Sequence, residues 1–179
     1  MRCIAFQGSK RIAEGSLLEV ALAAKPLVDR AVWEPPVLIL DADSSEVVAV
    51  DFRGEPEDLA RRLAEPPRGP GRPKLGVVAR EVTLLPRHWE WLSTQPGGTS
   101  VALRNLVEGA RRANESKDRI RQARESAYRF IRTMAGNEAG FEEATRALFA
   151  GKLELFERHT STWPADVRDH SFALASAGV

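Results

Sequence analysis

The sequence predicts an α+β fold in three parts: a small N-terminal domain of sheet plus helix, a central strand-helix-helix segment, and a C-terminal helical region. Three observations predict it. Short β-rich runs bounded by turn formers fill residues 3–50, and this pattern marks strands and hairpins. A stretch crowded with proline, glycine and arginine, 66–74, carries no apolar periodicity and separates the chain into blocks. After Ala113, apolar residues recur three and four apart, the spacing of one helix face. The expected boundaries are an acidic hairpin-rich domain over 1–66, a linker over 67–76, the strand-helix-helix segment over 77–113, and helices over 114–179.

The first block reads as two short hairpins around a helix. Cys3-Ile4-Ala5-Phe6 turns at Gln7-Gly8-Ser9 toward Arg11-Ile12-Ala13. From Ser16 to Arg30, Leu17, Leu18, Ala21, Leu22 and Leu27 fall near helical spacing, and Ser16 with Glu19 forms a capping box. Pro26 lacks an N–H and is expected to bend or interrupt this helix. Val37-Leu38-Ile39-Leu40 and Val47-Val48-Ala49-Val50 flank a polar loop and suggest the second hairpin, followed by a helix over 55–64. In the last block Ile120, Ala123, Ala127, Phe130 and Met134 mark a helix that Gly136 and Asn137 stop. Further helices are expected at Phe141–Phe149, at Leu153–Phe156, and through Val167, His170 and Leu174.

The totals bound the function. The 179 residues are 43% hydrophobic and 28% charged, a globular composition. The single Cys3 excludes an intramolecular disulfide, Met1 leads into polar residues rather than a signal-like apolar run, and no stretch approaches the roughly 20 apolar residues of a membrane span. A cytoplasmic protein is expected. A net charge of +1 conceals segregation: nine carboxylates oppose three arginines between Glu34 and Glu65, whereas eight bases oppose three acids between Pro67 and Arg112. The second block should attract phosphate and the first repel it.

Within the basic block, Val77-Val78-Ala79-Arg80-Glu81-Val82-Thr83-Leu84 reads as a strand running into Leu85-Pro86, and proline starts helices well at their first position. Leu85, Trp89 and Leu92 give that helix an apolar face, and Gln95-Pro96-Gly97-Gly98 ends it. A second helix starts at Thr99 or Ser100, whose unpaired amides and hydroxyls favour an anion at the positive end of the helix dipole. With Val82 and Leu84 turned inward, Glu81 and Thr83 face outward.

The order of Val82-Thr83-Leu84-Leu85-Pro86, a helix, Gly98-Thr99-Ser100 and a second helix resembles the ribbon-helix-helix family of dimeric DNA-binding proteins. The resemblance implies two chains pairing their strands antiparallel, a two-stranded ribbon laid in a major groove, and the N-terminus of the second helix set against a phosphate. Upstream, Arg68-Gly69-Pro70-Gly71-Arg72-Pro73-Lys74 resembles an AT-hook, which implies Arg72 and Lys74 in a narrow A·T minor groove; a plain interdomain linker is the other reading of the same string. The whole chain resembles the bacterial family known as domain of unknown function 2239. That likeness rests on Gly71-Arg72-Pro73-Lys74-Leu75-Gly76-Val77-Val78, on Arg80 through Leu92, on Gln95-Pro96-Gly97-Gly98, on Phe141 through Leu148, and on Trp163-Pro164-Ala165-Asp166.

These residues lead to one expectation and two alternatives. The expectation is a homodimeric protein binding double-stranded DNA and serving transcription regulation, with Arg68, Arg72, Lys74, Arg80 and Arg87 on phosphate or minor groove, Thr83 facing bases, and Thr99 and Ser100 clamping a phosphate. A protein-interaction scaffold and an uncharacterised enzyme are the alternatives. No catalytic residues, metal site or cofactor are expected: His88, His159 and His170 lack ligand spacing with Cys3, and no phosphate loop, nucleophile elbow or paired-carboxylate motif occurs. Trp33, Trp89, Trp91 and Trp163 are expected as core or interface anchors.

Overall fold

The computed structural model describes residues 1–30, 35–64, 76 and 78–178. The chain divides into two compact units, one formed by Met1–Glu65 with Asp118–Val179 and one by Pro66–Lys117.

Unit 1 is built on strand β1, Arg2–Gln7, which pairs antiparallel with β2, Lys10–Ser16, on one side and β3, Val37–Asp41, on the other. Four consecutive apolar residues, Cys3 to Phe6, suit a central strand covered on both faces, and all four are fully buried. Their alternation divides the interior. Ile4 and Phe6 enter a core with Leu40, Phe130, Ile131, Phe156, Trp163 and Val167, while Cys3 and Ala5 enter a second with Val20, Ala21, Ala24, Ile39 and Leu59. The acidic N-terminal block thus shares its principal core with the C-terminal helices.

Helix α1, Leu17–Arg30, opens with the expected capping box: the Ser16 amide donates to Glu19 Oε2 at 2.8 Å and the Glu19 amide donates to Ser16 Oγ at 3.3 Å. The interruption expected at Pro26 does not occur; α1 carries the proline inside its span. The carbonyl deprived of a donor belongs to Leu22, an exposed residue where water can satisfy it. The second hairpin also needs correction. Val47 forms a single bridge to Leu40 and no second strand follows. Asp41 draws the chain into a turn by accepting the Asp43 and Ser44 amides at 3.0 and 2.8 Å, and Ser45 takes a left-handed conformation with φ 57°. Beyond the bridge Val48, Val50 and Phe52 pack on the second core, so the alternation serves burial without a ladder.

Helix α2, Pro56–Leu63, starts with proline at its first position, and the Glu55 amide donates to Asp58 Oδ2 at 3.3 Å. Residues 86–93 and 99–135 form α3, Pro86–Ser93, and α4, Thr99–Ala135. The sequence had suggested two helices where α4 is one helix of 37 residues; it gives its first 19 residues to unit 2 and the rest to unit 1. In unit 1 follow α5, Phe141–Phe149, α6, Leu153–Thr160, and α7, Ala165–Ser176, as the periodicity predicts. Gly140, at φ 81°, lets α5 and α6 approach: a Cβ there would lie 2.6 Å from the His159 carbonyl oxygen. Trp163 is a core anchor whose Nε1 donates to the Ala139 carbonyl at 2.9 Å. Among the described residues no helix is long and apolar enough to cross a membrane.

Candidate nucleic-acid interface

The residues singled out from the sequence lie in or beside unit 2, and its local structure follows from a few of them. Leu85 is extended, with φ −67° and ψ 149°, as a residue before proline prefers, and its carbonyl accepts the His88 and Trp89 amides to begin α3. α3 ends where Thr94 and Gln95 fold back on Trp91 and Leu92. Gly97 and Gly98, at φ 82° and 79°, then turn the chain into α4 in a conformation that side chains resist.

Residues 78–84 form no strand within the chain, and among the described residues they make no backbone hydrogen bond. Except for half-buried Leu84, their side chains are exposed as well. Val78 is 68% and Val82 53% exposed, and Leu85, Trp89, Trp91, Leu106 and Val107 are exposed as well. Only Leu92 and Ala102 are buried among the described residues of this unit. Leu84, His88, Trp91, Leu92, Leu103 and Leu106 line an almost wholly apolar groove of about 280 Å³. Trp89 and Trp91 are therefore exposed rather than core, and His88 stands at the groove rather than in a polar cluster.

Arg80 and Thr83 sit in this unpaired segment, and Arg87 in the first turn of α3; all three are exposed and neither arginine has an ion pair among the described residues. At the start of α4, the Val101 and Ala102 amides both donate to the Gly98 carbonyl, leaving the Thr99 and Ser100 amides and hydroxyls without a hydrogen-bond acceptor among the described residues. Arg104, one of the eight bases of the basic block, folds back and donates from Nε to the Ser100 carbonyl at 3.1 Å. Its guanidinium thereby adds positive charge to the helix end that already favours anions. Farther along α4, Arg111 and Arg112 are engaged by Glu108 at 2.9 and 3.0 Å, and the two guanidinium groups hold its carboxyl below the usual range. The free cations of the described unit are thus weighted toward its beginning. No hydrogen bond or ion pair joins any two of Arg80, Thr83, Arg87, Thr99 and Ser100. Arg68, Arg72 and Lys74, and with them the AT-hook-like string and most of the linker, lie outside the described residues, as do Trp33 and Val77.

Among the described residues no group of three or more His, Cys, Asp or Glu side chains could hold a metal ion. Cys3 is buried, and burial pushes its thiol up, away from the reactive thiolate. The sequence matches, over residues 2–175, the family described as an uncharacterized protein conserved in bacteria (DUF2239). No curated protein and no solved structure matches it.

Proposed function

The chain belongs to the bacterial family DUF2239, whose description carries no activity, and from its own residues we propose that it is a homodimeric DNA-binding protein acting through unit 2. One observation supports the proposal: among the described residues, 78–84 leave a run of backbone donors and acceptors unpaired beside exposed Val78, Val82 and Leu85. Such an edge is a template for another strand. Two copies pairing it antiparallel satisfy both edges at once, and the apolar side chains of one copy enter the groove beside Trp91 and Leu103 of the other. The outer face of the ribbon then carries Thr83 and Glu81; Arg80, which alternation sets on the Val82 face, reaches round the ribbon's end on its long side chain, Arg87 follows in α3, and the N-terminus of α4 offers two amides, two hydroxyls and Arg104 to a phosphate. Regulation of transcription in the bacterial cytoplasm is the role that such a dimer would serve.

The test is a titration of a mixed-sequence duplex followed by fluorescence anisotropy from about 50 to 200 mM salt. Affinity should fall steeply, and Arg80→Ala or Arg87→Ala, each removing one contact from both copies, should reduce the slope of log K against log salt by about 1.8. Replacing Arg72 and Lys74 separates a minor-groove hook from a linker: selective loss on A·T-rich duplexes supports the hook, and uniform loss supports general charge. A dimer that binds no duplex at about 50 mM salt would overturn the proposal.

A further inference from the structure

A second surface lies wholly within unit 1. β1, β2, the turn after β3, the C-terminal part of α4 and α7 wall an open cleft of about 520 Å³, within the roughly 300–1,000 Å³ of small-molecule sites. Its room exists because Ala42, Ala123, Ala173 and Ala177 stand where larger side chains would fill it. The turn is held firmly: the buried hydroxyls of Ser45 and Ser126 bond at 2.9 Å, and Arg129 donates to the Ser44 carbonyl. The walls therefore belong to packed elements, as a preformed site requires.

Both signs of charge meet in the cleft, and one of each is left over. Glu14 is shared by Arg2 at 3.7 Å and Arg11 at 3.6 Å. Asp169 pairs with Arg168 at 2.8 Å, and the Asp166 carboxylate accepts the Arg11 amide at 2.8 Å. Among the described residues Arg119 and the Asp43 carboxylate have no partner. His170 packs its ring against Phe130 at 4.6 Å and Phe6 at 5.9 Å but makes no hydrogen bond, so its polar edge is also unclaimed. Burial holds this imidazole below its usual range, which keeps it neutral and leaves it one donor and one acceptor.

A simple anion entering here meets four carboxylates, and a simple cation meets three guanidinium groups. A molecule carrying both charges gives unpartnered Arg119 and Asp43 a counter-charge each. We propose that the cleft binds a small zwitterion, a carboxylate and an amine on a short aliphatic frame, with Arg119 holding the carboxylate, Asp43 the ammonium, and the alanines the methylene groups. The open rim is solvated, and so few contacts give a dissociation constant on the order of 1 mM.

Isothermal titration of the full chain with glycine, β-alanine, 4-aminobutyrate and 6-aminohexanoate tests this, with butyrate and butylamine as half-ligands at matched ionic strength. Saturable binding of at least one amino acid is expected, with each half-ligand about tenfold weaker or worse. Arg119→Gln and Asp43→Asn, both at exposed positions, should each weaken that binding by about tenfold. Ala173→Leu should abolish it by filling the cleft, with an unchanged melting temperature showing that the fold survives. No saturation by any of the four up to roughly 50 mM, equal binding of butyrate, or unaltered binding by Arg119→Gln and Asp43→Asn would each overturn the assignment. None of these measurements involves DNA, so this proposal can fail or stand independently of the one above.

Discussion

Replacing Val82 by aspartate tests the dimer at the residue on which it leans most. Val82 is 53% exposed and belongs to neither core, so the substitution should leave the isolated chain's stability nearly unchanged. Fully burying a valine contributes about 1.5–3 kcal/mol, so covering the exposed half is worth roughly 1 kcal/mol per copy. A two-fold interface counts the position twice, giving roughly 2 kcal/mol. Aspartate forfeits that and places two unpaired carboxylates in the seam, adding at least about 2 kcal/mol more. The sum, about 4 kcal/mol, corresponds to a dissociation constant raised roughly a thousandfold. Sedimentation equilibrium reads it directly: the native protein should weigh about twice the 19.7 kDa of one chain, and Val82→Asp should weigh 19.7 kDa. Val82→Thr, which keeps the shape and β preference, should remain dimeric with weaker association. A Val82→Asp protein that associates as tightly as the native one refutes pairing through this segment.

Three further outcomes concern unit 1. Ser126→Ala strands the buried Ser45 hydroxyl that it now bonds at 2.9 Å, which should cost roughly 1–3 kcal/mol in chemical denaturation, and adding Ser45→Ala should cost less than the two singly summed. Ser16→Ala removes the acceptor of the Glu19 amide and should lower stability by about 1 kcal/mol in the same assay. His170 is held below its ordinary range by burial, with Arg11 and Arg2 acting in the same direction and Glu14 against them. The unfolded chain therefore binds a proton at pH values where the folded chain does not, so this contribution is complete above the unfolded value, near 6.5, and is lost as pH falls below it until the folded imidazole itself protonates. Melting temperature should drop from about pH 8 to pH 5.5, and His170→Phe should drop less; identical profiles would remove His170 from the account.

Local chemistry was legible in the sequence wherever it is settled by neighbours along the chain. The Ser16–Glu19 box, proline at the start of α3, and the glycine pair before α4 each act within a few residues, and each appears where the residues indicate. The run Cys3–Phe6 likewise identified a strand, which the structure buries on both faces. What it could not identify was the cover, because Phe130 and Val167 meet Ile4 and Phe6 across most of the chain's length. Val47–Val50 has strand-forming residues, but the Asx turn at Asp41 and the anchoring of Ser45 on Ser126 decide its path. In the candidate interface, Arg80, Thr83, Arg87, Thr99 and Ser100 follow from charge and helix-end chemistry, whereas Arg104 emerges only from its contact with Ser100. The unpaired Arg119 and Asp43 gave no signal either, since isolated charges in sequence look alike whether or not a partner awaits them.

The contrast between the two units bears on why the second should need a partner. Unit 1 surrounds β1 with two cores and buries a phenylalanine from each of β1, α4 and α6. Among the described residues unit 2 has no comparable interior, although Val82, Leu85, Trp91, Leu106 and Val107 supply enough apolar surface to build one. Intrahelical pairs such as Glu108 with Arg111 and Arg112 support the exposed stretch of α4, but each is worth only about 0.2–0.5 kcal/mol. Ordering a residue costs roughly 1–2 kcal/mol in backbone entropy alone. Charge pairs cannot meet that cost for residues 78–98, which include little such pairing, and bodies of this size usually require a staple or an oligomer. Cys3 is the sole cysteine and lies in unit 1, which excludes a disulfide within unit 2, and no metal cluster occurs among the described residues. On the proposal that two copies pair through residues 78–84, burial against the second copy would supply this stabilisation, and it would place the arginines and the α4 N-terminus in duplicate, the arrangement that recognition of a two-fold duplex site requires.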